Sequence, residues 1–178
     1  ADYNVAVGYI ALAQDTKGST STAIGYSALY NQNFTSSTNS HNAAVGYNAG
    51  LSVTTGIENT LVGSRAGDAL TDADYNVAIG NQALTTDTKG SRSVAIGYQA
   101  LATQNFTSSS NSQNTAVGYG AGSSLNTGIS NTFIGAASAA LNTTGTGNTA
   151  LGVEAGYANQ TGDNNTMIGR SAGIAATG

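Results

Sequence analysis

The chain has 178 residues, enough for one ordinary domain, but only 8% of them are charged and the formal net charge is −4. With no basic cluster to neutralise phosphates, this composition argues against a nucleic-acid partner. The absence of cysteine excludes disulfide frameworks and thiolate metal sites, and no apolar run approaches the roughly 18 residues that would cross a membrane.

Taken from the start, the chain repeats one phrase ten times. An apolar residue precedes a glycine at Val7, Ile24, Val45, Val62, Ile79, Ile96, Val117, Ile134, Leu151 and Ile168. The glycines that follow, Gly8, Gly25, Gly46, Gly63, Gly80, Gly97, Gly118, Gly135, Gly152 and Gly169, are spaced 17 residues apart, or 21 at two steps. A fixed period of this size marks a stacked-repeat architecture. Glycine, Asn, Ser and Thr fill most polar positions, as in disordered low-complexity segments, yet disorder gives no reason for apolar residues to keep phase. Residues 1–67 align with 73–139 without a gap, so 1–72 and 73–144 read as a duplicated four-coil block and 145–178 as further coils. The whole of 1–178 is one array. No leader opens the chain and neither end carries a capping element, so a section of a longer fibre is expected.

Within each unit, the residue four before the glycine is Asn4, Asn42, Asn59, Asn76, Asn114, Asn131, Asn148 or Asn165, with Ser21 and Ser93 in the other two. A small or β-branched residue, then usually Ala, and then Val, Ile or Leu complete the approach to the glycine. Tyr often follows it, and Ala stands three residues beyond in all units but the one with Ser138. A strand of about five residues, a bend at the glycine, a second short strand and a turn are expected. Glycine in every interior and abundant Asn, Ser and Thr oppose helix. The fold class is therefore all-β, a parallel β-roll or β-solenoid of about ten coils, two of them with four-residue inserts.

Apolar side chains at both of two successive strand positions predict burial of both faces. One face can line the coil; the other needs a covering layer. A thin coil without disulfide or proline is under-supported alone, and a symmetric homo-oligomer is the ordinary remedy. The Asn column predicts a ladder of side-chain amides along the axis. The column that includes Gly46, Gly63, Gly80, Gly118 and Gly135 predicts a bend or positive φ.

The phrases Ser93-Val94-Ala95-Ile96-Gly97 and Asn76-Val77-Ala78-Ile79-Gly80 resemble the head repeats of YadA-type trimeric autotransporter adhesins, and also repeats of bacteriophage tail-fibre and other virion fibre proteins. The likeness extends over all ten units. It implies a left-handed, homotrimeric roll with the Val-Ala-Ile strand near the three-fold axis, in an extracellular fibre of a virion or a bacterial surface. The unit here is longer than the usual adhesin-head repeat, and the Gly-Tyr pairs favour the phage side.

Chemistry is sparse. His41, the only histidine, has Gln113 as its counterpart one block later, which suits an exposed loop residue better than a catalytic base. Asp72 and Asp74 lie as close as a glycosidase pair, but Thr144 and Thr146 stand in the matching places. Neither a calcium-binding nonapeptide nor a phosphate-cradling loop is present. Asp15 with Lys17, and Asp87 with Lys89, are expected as local ion pairs. The inserts, about 30–41 and 102–113, carry the candidate surface-binding residues Tyr30, Asn33, Phe34, Asn105 and Phe106, because an aromatic among amides suits carbohydrate. The opposing expectation is that each Phe anchors its loop to the coil.

These observations point to a non-enzymatic structural or adhesive fibre segment with no cofactor and no metal. Its expected partners are two copies of itself and host-surface carbohydrate. Two alternatives compete. An ice- or surface-binding solenoid would use the row Thr55, Thr127, Thr144 and Thr161, although Lys17, Asp72 and Lys89 interrupt it. A polysaccharide-degrading tailspike would need a charged cleft.

Overall fold

The computed structural model describes residues 1–175, in which every regular element is a strand. In chain order these are β1 (Val5–Val7), β2 (Gly18–Ser19), β3 (Thr22–Ile24), β4 (Thr38–Asn39), β5 (Ala43–Val45), β6 (Thr60–Val62) and β7 (Val77–Ile79). There follow β8 (Gly90–Ser91), β9 (Val94–Ile96), β10 (Ser110–Asn111), β11 (Thr115–Val117), β12 (Thr132–Ile134), β13 (Thr149–Leu151) and β14 (Thr166–Ile168). Ten of them form one parallel sheet in the order β1-β3-β5-β6-β7-β9-β11-β12-β13-β14. Each pairs with its equivalent one unit on, as Val77 with Val94 and Thr115 with Thr132. This is a parallel β-solenoid, one coil per repeat. With coils about 4.8 Å apart it extends roughly 48 Å.

The coil differs from the sequence expectation in one respect. The strand before the glycine is three residues long, no strand follows the glycine directly, and a second strand, of two residues, occurs late in four coils only, as β2, β4, β8 and β10. The chain turns instead, because positions two and four beyond the glycine are left-handed throughout, as at Gln99 (φ 54°) and Leu101 (φ 50°). A third left-handed column stands just before the Asn, with His41 at φ 48° and Gln113 at φ 51°. Among the described residues, 23 non-glycine residues hold positive φ. Extended structure cannot pass through such positions. The backbone bonds of the stacked coils over-determine them, as where Gln99 N–H donates to Asn81 and Leu101 N–H to Ala121.

The interior is thin. From β3 onward the middle residue of each three-residue strand points inward and is buried, as Ala78, Ala95 and Ala116 are, and so is the alanine three beyond the glycine in the inner coils, as in Ala83, Ala100 and Ala121. The remaining space is filled in two interchangeable ways. Leu29, Leu84 and Leu101 occupy the position four beyond the glycine, and a polar residue then stands three later, at Gln32, Asp87 and Gln104. Where that position is Gly50, Gly67 or Gly122, Val53, Leu70 or Leu125 fills the later place instead. The larger strand residues complete the exchange. A Cβ on Gly67 would stand 2.8 Å from both Leu61 Cδ2 and Leu70 Cδ1, and one on Gly122 would stand 2.7 Å from Phe133 Cδ2. Leu61 and Phe133 therefore take volume that the glycines leave free. Constant interior volume, rather than a constant residue, is what repeats.

The glycine that ends each strand sits where coils approach most closely. At Gly80, φ is 135°, and a Cβ would lie 2.5 Å from the carbonyl oxygen of Gly97 in the next coil. Nothing flexible is there to yield. Gly120 is the contrasting case, with φ 59° but its nearest neighbour, Ser123 Oγ, 3.9 Å from a built Cβ. Ala137 already holds the same place one coil on at φ 53°. Gly120→Ala is expected to cost about 1–2 kcal/mol for its left-handed backbone alone, and Gly80→Ala more than that, because its Cβ also meets fixed backbone. Urea midpoints of the two variants measured side by side check the ranking.

Candidate functional site

The two inserts set their coils apart from the rest of the array. Each lengthens one coil and forms a second short ladder, β2 with β4 and β8 with β10. At their bases lie two copies of one polar cluster. In the second copy, fully buried Gln104 donates to Asp87 Oδ2 at 2.6 Å and to Ser93 Oγ at 3.1 Å, while its carbonyl accepts from Asn114 Nδ2 at 2.9 Å. Ser93 Oγ lies 2.7 Å from Ser112 Oγ, and Asp87 Oδ1 accepts the backbone N–H of Gly90 and of Phe106, each at 3.0 Å. Gln32, Asp15, Ser21, Ser40 and Asn42 repeat much of the arrangement. Ser replaces Asn at 21 and 93 because the insert's own Gln and Ser enter the space that an Asn amide would occupy.

These contacts correct the expected ion pairs. Asp87 is fully buried and serves as a turn cap, so Lys89 reaches back to Asp72 of the preceding coil at 3.8 Å. Asp15 likewise caps Gly18 N–H at 2.7 Å, while Lys17 Nζ donates to the Thr35 carbonyl at 2.8 Å. A carboxylate two or three residues before a glycine is better placed to bond backbone N–H groups than a flexible ammonium.

Phe34 and Phe106 are buried, their rings lying over Gly18 and Gly90. They anchor the loops and offer no ring face to a sugar. Asn33 is exposed and its Oδ1 accepts from Thr16 Oγ1 at 3.0 Å, while Asn105 Oδ1 accepts from Thr88 Oγ1 at 3.3 Å. Tyr30 is partly exposed, its hydroxyl accepting from Gln14 Nε2 at 3.0 Å. The five residues do not converge on one site. His41 is exposed at its turn. Asp74 Oδ1 accepts the Ile57 N–H at 2.8 Å, which leaves it a turn residue of the stack.

The Asn column works somewhat differently from the expected amide ladder. Each carbonyl oxygen accepts the backbone N–H of the next coil, as Asn59 to Asn42, Asn76 to Asn59, Asn131 to Asn114, Asn148 to Asn131 and Asn165 to Asn148, all at 2.9 Å. From Asn4 to Asn148, each Nδ2 donates within its own coil to a carbonyl 14 residues later, as Asn114 to Gly128 and Asn131 to Gly145, both at 2.8 Å. Bonds between amides are longer, 3.1–3.3 Å, and do not occur at every step. One side chain thus closes its coil and holds the next.

What the chain does present is a face. The residue before each glycine points outward, and Val7, Ile24, Ile79, Ile134, Leu151 and Ile168 are all exposed, with Val45, Val62, Ile96 and Val117 partly so. The first strand position lies on the same side, carrying Thr22, Thr60, Thr115, Thr132, Thr149 and Thr166 among Val and Ala. Beside it runs a broken column of stacked tyrosines, Tyr9, Tyr26 and Tyr47, then Tyr98 and Tyr119. Sequence reasoning placed the apolar row at a face needing cover; the stacking was legible only as a recurring Gly-Tyr pair. Among the described residues no cavity is present, and no group of His, Cys, Asp and Glu converges as a metal site. No described helix is long and apolar enough to cross a membrane.

One carboxyl is perturbed. Burial raises the Asp68 pKa above the ordinary 3.8, while a hydrogen bond from Thr85 and the Arg65 charge pull it the other way. The Thr85 Oγ1 contact is 2.6 Å.

No family, no curated protein and no solved structure matches this chain.

Two measurements test these local arguments. Gln104→Ala leaves Asp87 and Asn114 short of partners and is expected to cost about 1–3 kcal/mol, read as a shift of the thermal midpoint. For Asp68, the folded chain holds the proton more tightly than the unfolded one. Its favourable contribution is therefore full below 3.8 and lost as pH rises through the higher folded value. Asp68→Asn should therefore be more stable than the parent near neutral pH, with the difference closing in acid, when urea midpoints are compared at the two pH values.

Proposed function

We propose that this chain is a non-enzymatic structural segment of an extracellular fibre, in which three copies pack their Val/Ile faces together. The observation that supports it most is the uninterrupted apolar row, one aliphatic side chain per coil from Val7 to Ile168. Scattered exposed aliphatics are ordinary, but a contiguous row along the whole length of a molecule is a mark of an interaction surface. No charged side chain stands in either outward column of the sheet, so covering it desolvates no charge. A second copy carries the same stripe at the same spacing, which makes the surface self-complementary. The number three, the left-handed winding, and the choice between virion and bacterial surface follow the resemblance to YadA-type heads and phage fibre repeats.

In this reading the solenoid is a stiff spacer. Host-surface carbohydrate remains the proposed contact, met by the polar outer side of the insert loops, with Asn33, Asn105 and the exposed Thr35 and Thr107 as its hydrogen-bonding groups. The Phe rings take no part.

A second reading has an observation of its own. Thr115, Thr132, Thr149 and Thr166 stand in register on the sheet beside Val117, Ile134, Leu151 and Ile168. A regular Thr and aliphatic lattice of this kind suits an ordered surface such as ice. It uses the same face, so the two readings exclude each other.

The first experiment is the solution mass by light scattering behind size exclusion. Three chains per particle is the expected result; a stable monomer with ice-recrystallisation activity overturns the fibre reading in favour of the second. Ile96→Lys, which points outward and leaves the interior untouched, is expected to return the assembly to monomers with an unchanged far-ultraviolet spectrum.

A further inference from the structure

The tyrosines beside the apolar face are paired in a way that neither the fold nor the proposed assembly requires. Tyr9 and Tyr26 lie with ring centroids 5.3 Å apart and planes 22° from parallel, and Tyr26 and Tyr47 at 5.4 Å and 20°. Tyr98 and Tyr119 stand at 5.3 Å and 12°. All five rings are exposed, from 42% at Tyr98 to 67% at Tyr9. Backbone bonds on either side lock each pair in place. Gly25 N–H donates to Val7 at 2.7 Å and Ser27 N–H to Tyr9 at 3.0 Å, while Gly118 N–H donates to Ile96 at 2.8 Å and Gly120 N–H to Tyr98 at 2.9 Å.

Face-to-face stacking has two chemical consequences. It withdraws most ring faces from any sugar, because each inner face is covered by its neighbour. It also holds the phenol edges of successive coils side by side, in solvent, with no freedom to diffuse apart. Ser64 and Asn81 separate the column into two stacks, so the pairs are discrete. The other tyrosines lack this geometry. Tyr75 has Arg92 over its ring at 5.6 Å, and the next coil offers Leu51 beside Tyr30.

We propose that Tyr9, Tyr26 and Tyr47, and separately Tyr98 and Tyr119, are oxidative cross-linking sites, at which a peroxide-driven one-electron oxidant joins stacked rings of successive coils as dityrosine. Each phenol loses one electron and its hydroxyl proton to give a phenoxyl radical. The two radicals form one carbon–carbon bond between ring positions ortho to oxygen. Each ring then loses its ortho proton to solvent and recovers a phenol hydroxyl, becoming aromatic again. The net change is loss of one hydrogen atom from each tyrosine, with one hydrogen peroxide reduced to two waters. Tyr26 is shared, so simple pairing makes at most one staple in the first stack and one in the second. A staple ties two coils together along the axis, reinforcing the direction in which the solenoid is otherwise held by hydrogen bonds. The inference does not depend on the trimer, because both rings of each pair belong to one chain.

The test uses the whole folded protein with a peroxidase and hydrogen peroxide, followed by denaturing electrophoresis, intact mass and peptide mapping. Dityrosine fluorescence is expected, in chains that still run as single chains and have lost two or four hydrogens, with links mapping to 9–26 or 26–47 and to 98–119. Tyr26→Phe keeps the ring stack but removes the shared phenol, so fluorescence falls to about half and only the 98–119 link remains. Adding Tyr119→Phe abolishes it. The proposal is overturned if the folded chain gives no dityrosine, if links form mainly between chains, or if they run through Tyr3, Tyr30, Tyr75 or Tyr157. A link pattern that is the same in urea also overturns it, since the pairing then owes nothing to the stack.

Discussion

Every feature of this molecule depends on how closely one coil lies on the next. Parallel pairing sets equivalent residues of successive repeats against each other, Val62 beside Ile79 and Thr132 beside Thr149. At the end of each strand the backbones come so near that a methyl group on Gly80 would meet the Gly97 carbonyl. The period follows from that contact. A repeat may change its interior, its turns or even its length, as the two inserts do, provided that it returns a glycine to this place and an Asn or Ser four residues before it.

The same stacking explains how so thin a coil holds many left-handed residues. Taken singly, positive φ at Leu101, Gln99 or Arg92 is unfavourable by roughly 1–2 kcal/mol. Each lies in a column of like conformations whose N–H groups bond carbonyls of an adjacent coil, as Arg92 does to Asp74. Strain in a single turn is thereby shared by the stack. The Asn side chains add the link between closing a coil and seating the next. Where the inserts displace the Asn, the Gln–Asp–Ser–Ser cluster takes over the task and buries an otherwise costly carboxylate at Asp87 among N–H donors.

The functional reading also begins from geometry. Inward-facing alanines leave little core, while the larger Val and Ile of each strand face outward. A solenoid that places its bulkier aliphatics outside gains most by covering them, and another copy of the same stripe is the simplest cover. Stiffness and length then follow from repetition.

The ten-fold spacing of apolar–Gly pairs determined the coil, its strand, its register and the outward row, because periodicity alone carries that information. It also marked the Asn column, since Asn before a strand at fixed phase has few other uses. What only the tertiary structure decided was where side chains met. Phe34 and Phe106 look alike as exposed binders or buried anchors until Gly18 and Gly90 are seen beneath them. Asp87 was paired in sequence with its neighbour Lys89, but Gln104, 17 residues away along the chain and next to it across the coils, is its partner. The second strand expected in every coil formed only in the four that the inserts pair, and left-handed turns follow each glycine instead, because local patterning cannot register backbone strain that only an adjacent coil makes tolerable. Which residues stand above one another was legible from the period; which side chains bond there required the stack.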